Sequence, residues 1–153
     1  MFRETDVLGY HQRTIYNDLE DAGLDWAVYF SDFPIVTFLS KTRDYPLRFK
    51  QFQEFIHDAK EGKLPQFSFL EPRWFTVAEW ERSDQHPPHS TLPGELFLKD
   101  IYEALRSSPQ WNQTLFIITY DENGGLYDHV LHLNCRFLPF YLLHLSLSLF
   151  GSL

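Results

Sequence analysis

Cysteine is nearly absent from this chain. Cys135 is the only one in 153 residues, so no intrachain disulfide can form and no cysteine-based zinc site exists. That scarcity assigns no redox compartment, because a secreted domain need not be disulfide-dense. Positive charge is also scarce. Thirteen Lys and Arg against 21 Asp and Glu give a formal net charge of −8. Such a balance argues against nucleic acid as a partner and against broad capture by an anionic membrane, while leaving room for a local basic pocket. Long apolar runs are missing too. The longest, residues 137–150, is broken by Pro139, His144, Ser146 and Ser148. It falls short of the ~20 residues a membrane-spanning helix needs, so no stable transmembrane span is expected. Residues 1–6 (MFRETD) lack the apolar core of a secretory signal, and no localisation is assigned. There is no Gly-x-Ser-x-Gly elbow, no P-loop and no GxGxxG, and no Ser, Thr or Cys stands out as a nucleophile.

What remains is apolar and aromatic enough to fold. The chain is 44% hydrophobic and 18% aromatic, a length and content that suit one domain with a modest core. Thr14 caps a short helix with Ile15, Leu19 and Ala22 on one face and Gly23 as its stop. Residues 25–31 (DWAVYFS) read as a buried strand ending near Asp32. Pro46 sits where a helix begins, and Phe52, Phe55, Ile56 and Ala59 carry its apolar stripe to Gly62. Residues 66–70 (QFSFL) form a second strand running into Glu71, Pro72 and Arg73. Residues 72–92 make a long aromatic connection centred on Pro87 and Pro88. A third helix opens at Pro93 with Phe97, Leu98, Ile101, Tyr102 and Leu105 inward. Residues 114–120 (TLFIITY) are the clearest strand, apolar on both faces as inside a parallel sheet. This alternation predicts an α/β fold, a mostly parallel sheet with helices on both faces.

In such sheets ligands gather beyond the carboxyl ends of the strands. Three strands here end beside acidic residues: Asp32, Glu71, and Asp121 with Glu122. Adjacent carboxylates repel, and a cation or a set of donors keeps both ionised. Oxygen-rich ligation by Asp121 and Glu122 suits a hard divalent metal, with His129 as a nitrogen ligand or proton donor. Gly124 and Gly125 let the backbone approach a ligand closely. An acidic turn with a packed histidine explains the same residues, and both readings stay open. His86 and His89 flank the Pro87-Pro88 pair, which limits their relative freedom. That arrangement fits metal ligation, phosphate contact or acid–base work, and equally a solvated Pro-rich turn. Arg73 can bind phosphate oxygens with Glu71 in support, or join a surface ion pair beside Trp74. Phe49, Phe52 and Phe55 could form a lipid-facing patch, but helical core packing explains Phe52 and Phe55 more simply.

Several stretches resemble the phosphoesterase family, which includes bacterial phospholipase C, plant non-specific phospholipase C and related acid phosphatases. The likeness runs through Gln12-Arg13-Thr14-Ile15-Tyr16, Leu19-Glu20-Asp21-Ala22-Gly23-Leu24 and Asp84-Gln85-His86-Pro87-Pro88-His89. It is most specific over residues 101–112 (IYEALRSSPQWN) and 114–130 (TLFIITYDENGGLYDHV). The resemblance implies a three-layer α/β/α, alkaline-phosphatase-like fold and hydrolysis of phosphate esters, with phospholipids or phosphomonoesters as substrates and peripheral membrane contact compatible with them. It implies a divalent metal of unspecified identity held by Asp121 and Glu122. His86, His89 and His129 would act in catalysis, and Arg73, Asn123 and Gly124 would contact substrate. The expected chemistry is attack on phosphorus by a hydroxyl, then hydrolysis of the phospho-enzyme.

Departures from the family pattern shape a further expectation. The family's Glu-Asn-Arg-Ser-Phe-Asp-His motif and its nucleophilic Ser or Thr have no counterpart here, so this chain supplies no nucleophile. The family's His within Asp-Glu-His-Gly-Gly is Asn123, which cannot act as an acid, and its usual Phe is Leu126. From residue 130 onward only Arg136 is charged and nine residues are leucine. Residues 1–130 are therefore expected to be a partial phosphoesterase domain, incomplete at both ends, and 131–153 an apolar tail of another style. A chain of that kind is expected to turn over little substrate, or to be a non-catalytic anion- or metal-binding fragment.

Overall fold

The structure is a computed structural model that describes residues 9–121 together with the backbone of a strand at 145–150. Three α-helices flank a five-stranded sheet among these residues. In chain order the elements are α1 (Ile15–Asp21), β1 (Trp26–Phe30), β2 (Phe49–Gln51), α2 (Phe52–Glu61), β3 (Phe67–Glu71), α3 (Leu92–Ser107), β4 (Leu115–Tyr120) and β5 (Leu145–Phe150). Four 3-10 turns fill the connections, three of them between β1 and β2.

Local signals set most of these boundaries. Thr14 and Asn17 form a capping box at the start of α1, the Asn17 side chain accepting from the Thr14 N–H at 2.9 Å. Glu54 does the same for the Gln51 N–H at 2.9 Å, and α2 stops where Gly62 turns left-handed at φ 66°. One boundary differs from the sequence expectation. Pro46 opens only a 3-10 turn, Pro46–Arg48, because the next three residues are taken by β2, which pairs in parallel with β1. The helix starts six residues later than its proline suggested.

The strand order is β2-β1-β3-β5-β4. β1 pairs in parallel with β2 and β3, while β5 pairs antiparallel with both β3 and β4. Four strands therefore point one way and β5 runs between them in the other, so the sheet is mostly parallel as expected. Alternation along β1 divides the core. Ala27 and Tyr29 join Leu70, Phe55, Ala59, Phe97, Ile101 and Leu105 beneath α2 and α3. Trp26 and Val28 join Phe67, Tyr16 and Leu19 beneath α1. Both faces are covered, which makes a three-layer α/β/α sandwich.

Phe55 is fully buried, Phe52 rings lie 5.8 Å from Phe55 and 4.8 Å from Phe97, and Phe49 packs on the opposite cluster. The core explanation of Phe52 and Phe55 holds. Two expectations fail. Tyr102 faces outward on α3, its ring edge-on to Trp111 at 5.9 Å. β4, expected inside the sheet, lies at its margin among the described residues, with Leu115, Ile118 and Tyr120 exposed. Part of the 131–153 segment, read as foreign in style, contributes β5 to the sheet.

Candidate functional site

Strand direction brings the acidic strand ends to one edge. Phe30 pairs with Glu71, and Leu70 and Ile118 both stand opposite Leu147, so β1, β3 and β4 finish at similar height. Asp32 lies two residues past β1, Glu71 ends β3, and Asp121 follows β4 directly. The described acidic residues therefore lie on one carboxyl edge, with β5 standing between the strand that ends at Glu71 and the one that leads into Asp121. Glu122, Asn123, Gly124 and His129 lie outside the described residues.

Two of those carboxylates hold loops. Asp32 accepts backbone N–H bonds from Phe33 at 2.7 Å and from Trp74 and Phe75 at 2.9 Å each. One carboxylate thus ties the turn after β1 to the connection after β3. Glu71 is fully buried and accepts from the Ile35 N–H at 2.6 Å and the Val36 N–H at 3.1 Å. Burial pushes its carboxyl up to about 7, even though these bonds and one from the Trp74 indole pull the other way. Glu71 is engaged with backbone rather than with Arg73. The Arg73 guanidinium instead lies over the Trp80 ring, 5.2 Å from its centroid.

The connection after β3 is pinned at its base. Arg73 donates its N–H to Ser83 Oγ at 2.9 Å, and Ser83 donates its N–H back to the Arg73 carbonyl at 3.0 Å. Beyond that pin Ser83, Asp84 and Gln85 are all buried. Gln85 has φ 63°, a left-handed conformation. Its side chain donates to Glu95 Oε1 at 2.9 Å. Gly94 makes room for it, since a Cβ there would stand 2.2 Å from Gln85 Cγ. The histidine-bearing loop is thereby seated on the first turn of α3, on the sheet edge where β4 runs into Asp121. The Tyr120 hydroxyl is raised by burial and by the Glu95 charge, with Gln85 opposing.

The two histidines of this loop are held differently. His86 Nδ1 lies 2.5 Å from the Pro87 carbonyl, which can only accept, so Nδ1 carries a proton and Nε2 is left for exchange. His89 Nε2 lies 3.3 Å from Arg82 Nη1, which can only donate, so His89 offers its lone pair there. Arg82 also pairs with buried Asp84. Arg82 Nε and Asp84 Oδ1 are buried with no hydrogen-bond partner among the described residues. Sequence reasoning missed Arg82, Asp84, Gln85 and Gly94. Arg82, Asp84 and Gln85 stand in a polar run before the diproline, which does not announce burial, although Asp84 and Gln85 belong to the stretch that carries the family likeness.

A hard divalent cation calls for several oxygen or nitrogen ligands at once. No three His, Cys, Asp or Glu side chains gather to hold a metal ion among the described residues. Asp121 alone does not make a cation centre, so the described residues do not fit one.

The three-layer α/β sandwich with its mostly parallel sheet fits an alkaline-phosphatase-like fold. The family model described as the phosphoesterase family matches residues 3–136, six residues further than Val130. This chain belongs to the phosphoesterase family. It is 46% identical over 125 residues to non-specific phospholipase C4 of Arabidopsis thaliana, covering 80% of this chain and 23% of that protein. It is 42% identical over 137 residues to non-specific phospholipase C5 of the same plant, covering 84% and 25%. It is 30% identical over 132 residues to the non-hemolytic phospholipase C of Pseudomonas aeruginosa, covering 80% and 19%. The chain spans about a quarter of the length of the plant relatives it matches.

Proposed function

We propose that this chain builds one wall of the phosphoryl-binding centre of a phospholipase C-type phosphoesterase, acting on phospholipids or phosphomonoesters. The observation that carries the reading is the seat of the histidine loop on the first turn of α3, where Gln85 donates to Glu95 Oε1 at 2.9 Å, on the sheet edge where β4 runs into Asp121. In this reading His86 is the proton donor to the departing alkoxide. Its Nδ1–H bond to the Pro87 carbonyl fixes the ring and leaves Nε2 to hold and give the proton. His89, whose Nε2 takes a bond from Arg82, steadies that guanidinium close to the incoming anion. The unsatisfied Arg82 Nε is a donor suited to a phosphoryl oxygen. Asp121 and Glu122, with Asn123, Gly124 and His129, are assigned to the same centre by their place in the sequence after β4. Arg73 is assigned a lesser role, because its guanidinium is stacked on Trp80.

Phosphoryl transfer also needs an in-line hydroxyl. No residue of this chain matches the family's nucleophile, so binding without appreciable turnover is the expected behaviour of the 153-residue chain. Calorimetry with inorganic phosphate and with phosphocholine tests the reading, alongside release of p-nitrophenol from p-nitrophenyl phosphorylcholine. Micromolar to millimolar anion binding that weakens in Asp121→Ala/Glu122→Ala supports it. Identical binding in the two proteins removes the site. Turnover abolished by Asp121→Ala means that this chain does hold a nucleophile.

A further inference from the structure

The loops after β1 and β3 present apolar side chains to water. Phe33, Phe38, Phe75, Val77 and Trp80 are 40, 49, 58, 60 and 58% exposed. They belong to the carboxyl edge of the sheet, the same edge as the candidate site, and the Phe33 and Phe38 rings pack together at 5.9 Å. Their backbones are held firmly. Asp32 binds the N–H groups of Phe33 and Phe75, Glu71 binds those of Ile35 and Val36, and the Arg73–Ser83 pair closes the longer loop. At its tip Val77 and Trp80 exchange backbone bonds of 3.1 and 3.0 Å around Ala78, which has φ 52°. Ala78 adopts a left-handed conformation unusual for a residue with a side chain, and it forms the tight turn that brings Val77 and Trp80 side by side.

We propose that these side chains form a membrane-seating surface that docks this chain onto a zwitterionic phospholipid layer. The inference rests on the phospholipase-type reading and deepens it: a phosphate in a bilayer lies at headgroup depth, so a site acting on it must approach along this edge. Tryptophan and phenylalanine held in fixed loops suit the boundary between headgroups and acyl chains, and little further ordering is lost on insertion. Charge selects the lipid. Segment 73–82 holds Arg73 and Arg82 against Glu79 and Glu81, and the chain as a whole carries −8. A neutral patch on an acidic protein is repelled by an anionic surface and matched by a choline headgroup layer.

The test is flotation of the full 153-residue chain with phosphatidylcholine vesicles, with and without added phosphatidylserine. Phe75→Ser/Trp80→Ser should lower partitioning about tenfold or more. Leu47→Ser is the control: Leu47 is 91% exposed but precedes β2, at the opposite edge, and its variant should partition as wild type does. If the first variant fails to fold by circular dichroism, Phe33→Ser/Phe38→Ser carries the same expectation. Quenching of wild-type tryptophan emission by brominated phosphatidylcholine reads insertion directly. The proposal falls if wild type stays in solution, if Leu47→Ser loses as much, or if binding needs phosphatidylserine. It falls also if the aromatic variant instead abolishes self-association, which would assign the patch to a second copy. Phosphate and phosphocholine calorimetry keeps the two ideas apart. Vesicle binding without anion binding leaves the surface standing and removes the site; anion binding without vesicle binding does the reverse.

Discussion

Glu71→Gln should change how stability depends on pH. Glu71 is fully buried at the end of β3, and its carboxyl stands at about 7 against an ordinary value of 4.5. The folded chain therefore binds a proton more readily than the unfolded one between those values. Stability supplied by the protonated form is complete below pH about 4.5 and is lost as pH rises through about 7. A displacement of this size corresponds to about 3 kcal/mol lost by pH 8. Glutamine cannot ionise, so its variant lacks that slope, although it places an amide NH₂ near one of the Ile35 and Val36 N–H groups and starts less stable. Urea unfolding of both proteins at several pH values from about 4.5 to 8 gives the difference curve, in which the other carboxylates cancel. The wild type should lose about 3 kcal/mol relative to Glu71→Gln across that range. Parallel curves, or a wild type that gains on the variant as pH rises, would refute the burial argument for Glu71.

Gly94→Ala should unseat the histidine loop, because its Cβ would stand 2.2 Å from Gln85 Cγ. Breaking the Gln85–Glu95 bond costs about 2 kcal/mol, and the gain in helix propensity returns about 1. Global stability should thus fall only slightly in urea titrations while phosphate affinity falls sharply. Asp58→Ala should cost about 2 kcal/mol in the same assay, since Asp58 accepts from the buried Tyr29 hydroxyl at 2.8 Å and from Lys50 at 2.6 Å. Asp58→Asn, which keeps an acceptor, should recover part of that loss. His86→Ala and His89→Ala should differ: the first removes the proton-bearing ring, while the second frees Arg82 and should alter anion affinity, as calorimetry with phosphate will read.

Much of the architecture was legible because local chemistry and tertiary packing agree. Thr14, Gly23 and Gly62 mark real helix boundaries, and the unbroken apolar run WAVYF reflects a strand buried on both faces. Pro46 misled because proline favours a first turn of any helical kind, and pairing of Phe49–Gln51 with β1 overrode the longer helix. β4 misled in the other direction. Its apolar sequence suits a sheet interior, yet its place at the margin of the described strands depends on how β5 pairs, and strand order is not written in a strand's own residues. The same limit applies to the site. The shared edge of the acidic strand ends followed from strand direction and was foreseeable. Asp32 and Glu71 as loop anchors were not, because a carboxylate that binds backbone N–H groups looks in sequence like one awaiting a ligand. The contrast between His86 and His89 depends on contacts with the Pro87 carbonyl and Arg82, which only three dimensions reveal.

The central claim is that the carboxyl edge of this sheet receives a phosphoryl group between the histidine loop and the end of β4. Backbone amide NMR of the full chain titrated with inorganic phosphate tests it most directly. Saturable shifts concentrated at residues 82–89, 95 and 119–121, with none around Leu47 and Arg48, are the predicted result. Shifts that scatter over basic surface residues, or an absence of saturable shifts at that edge, would contradict the account.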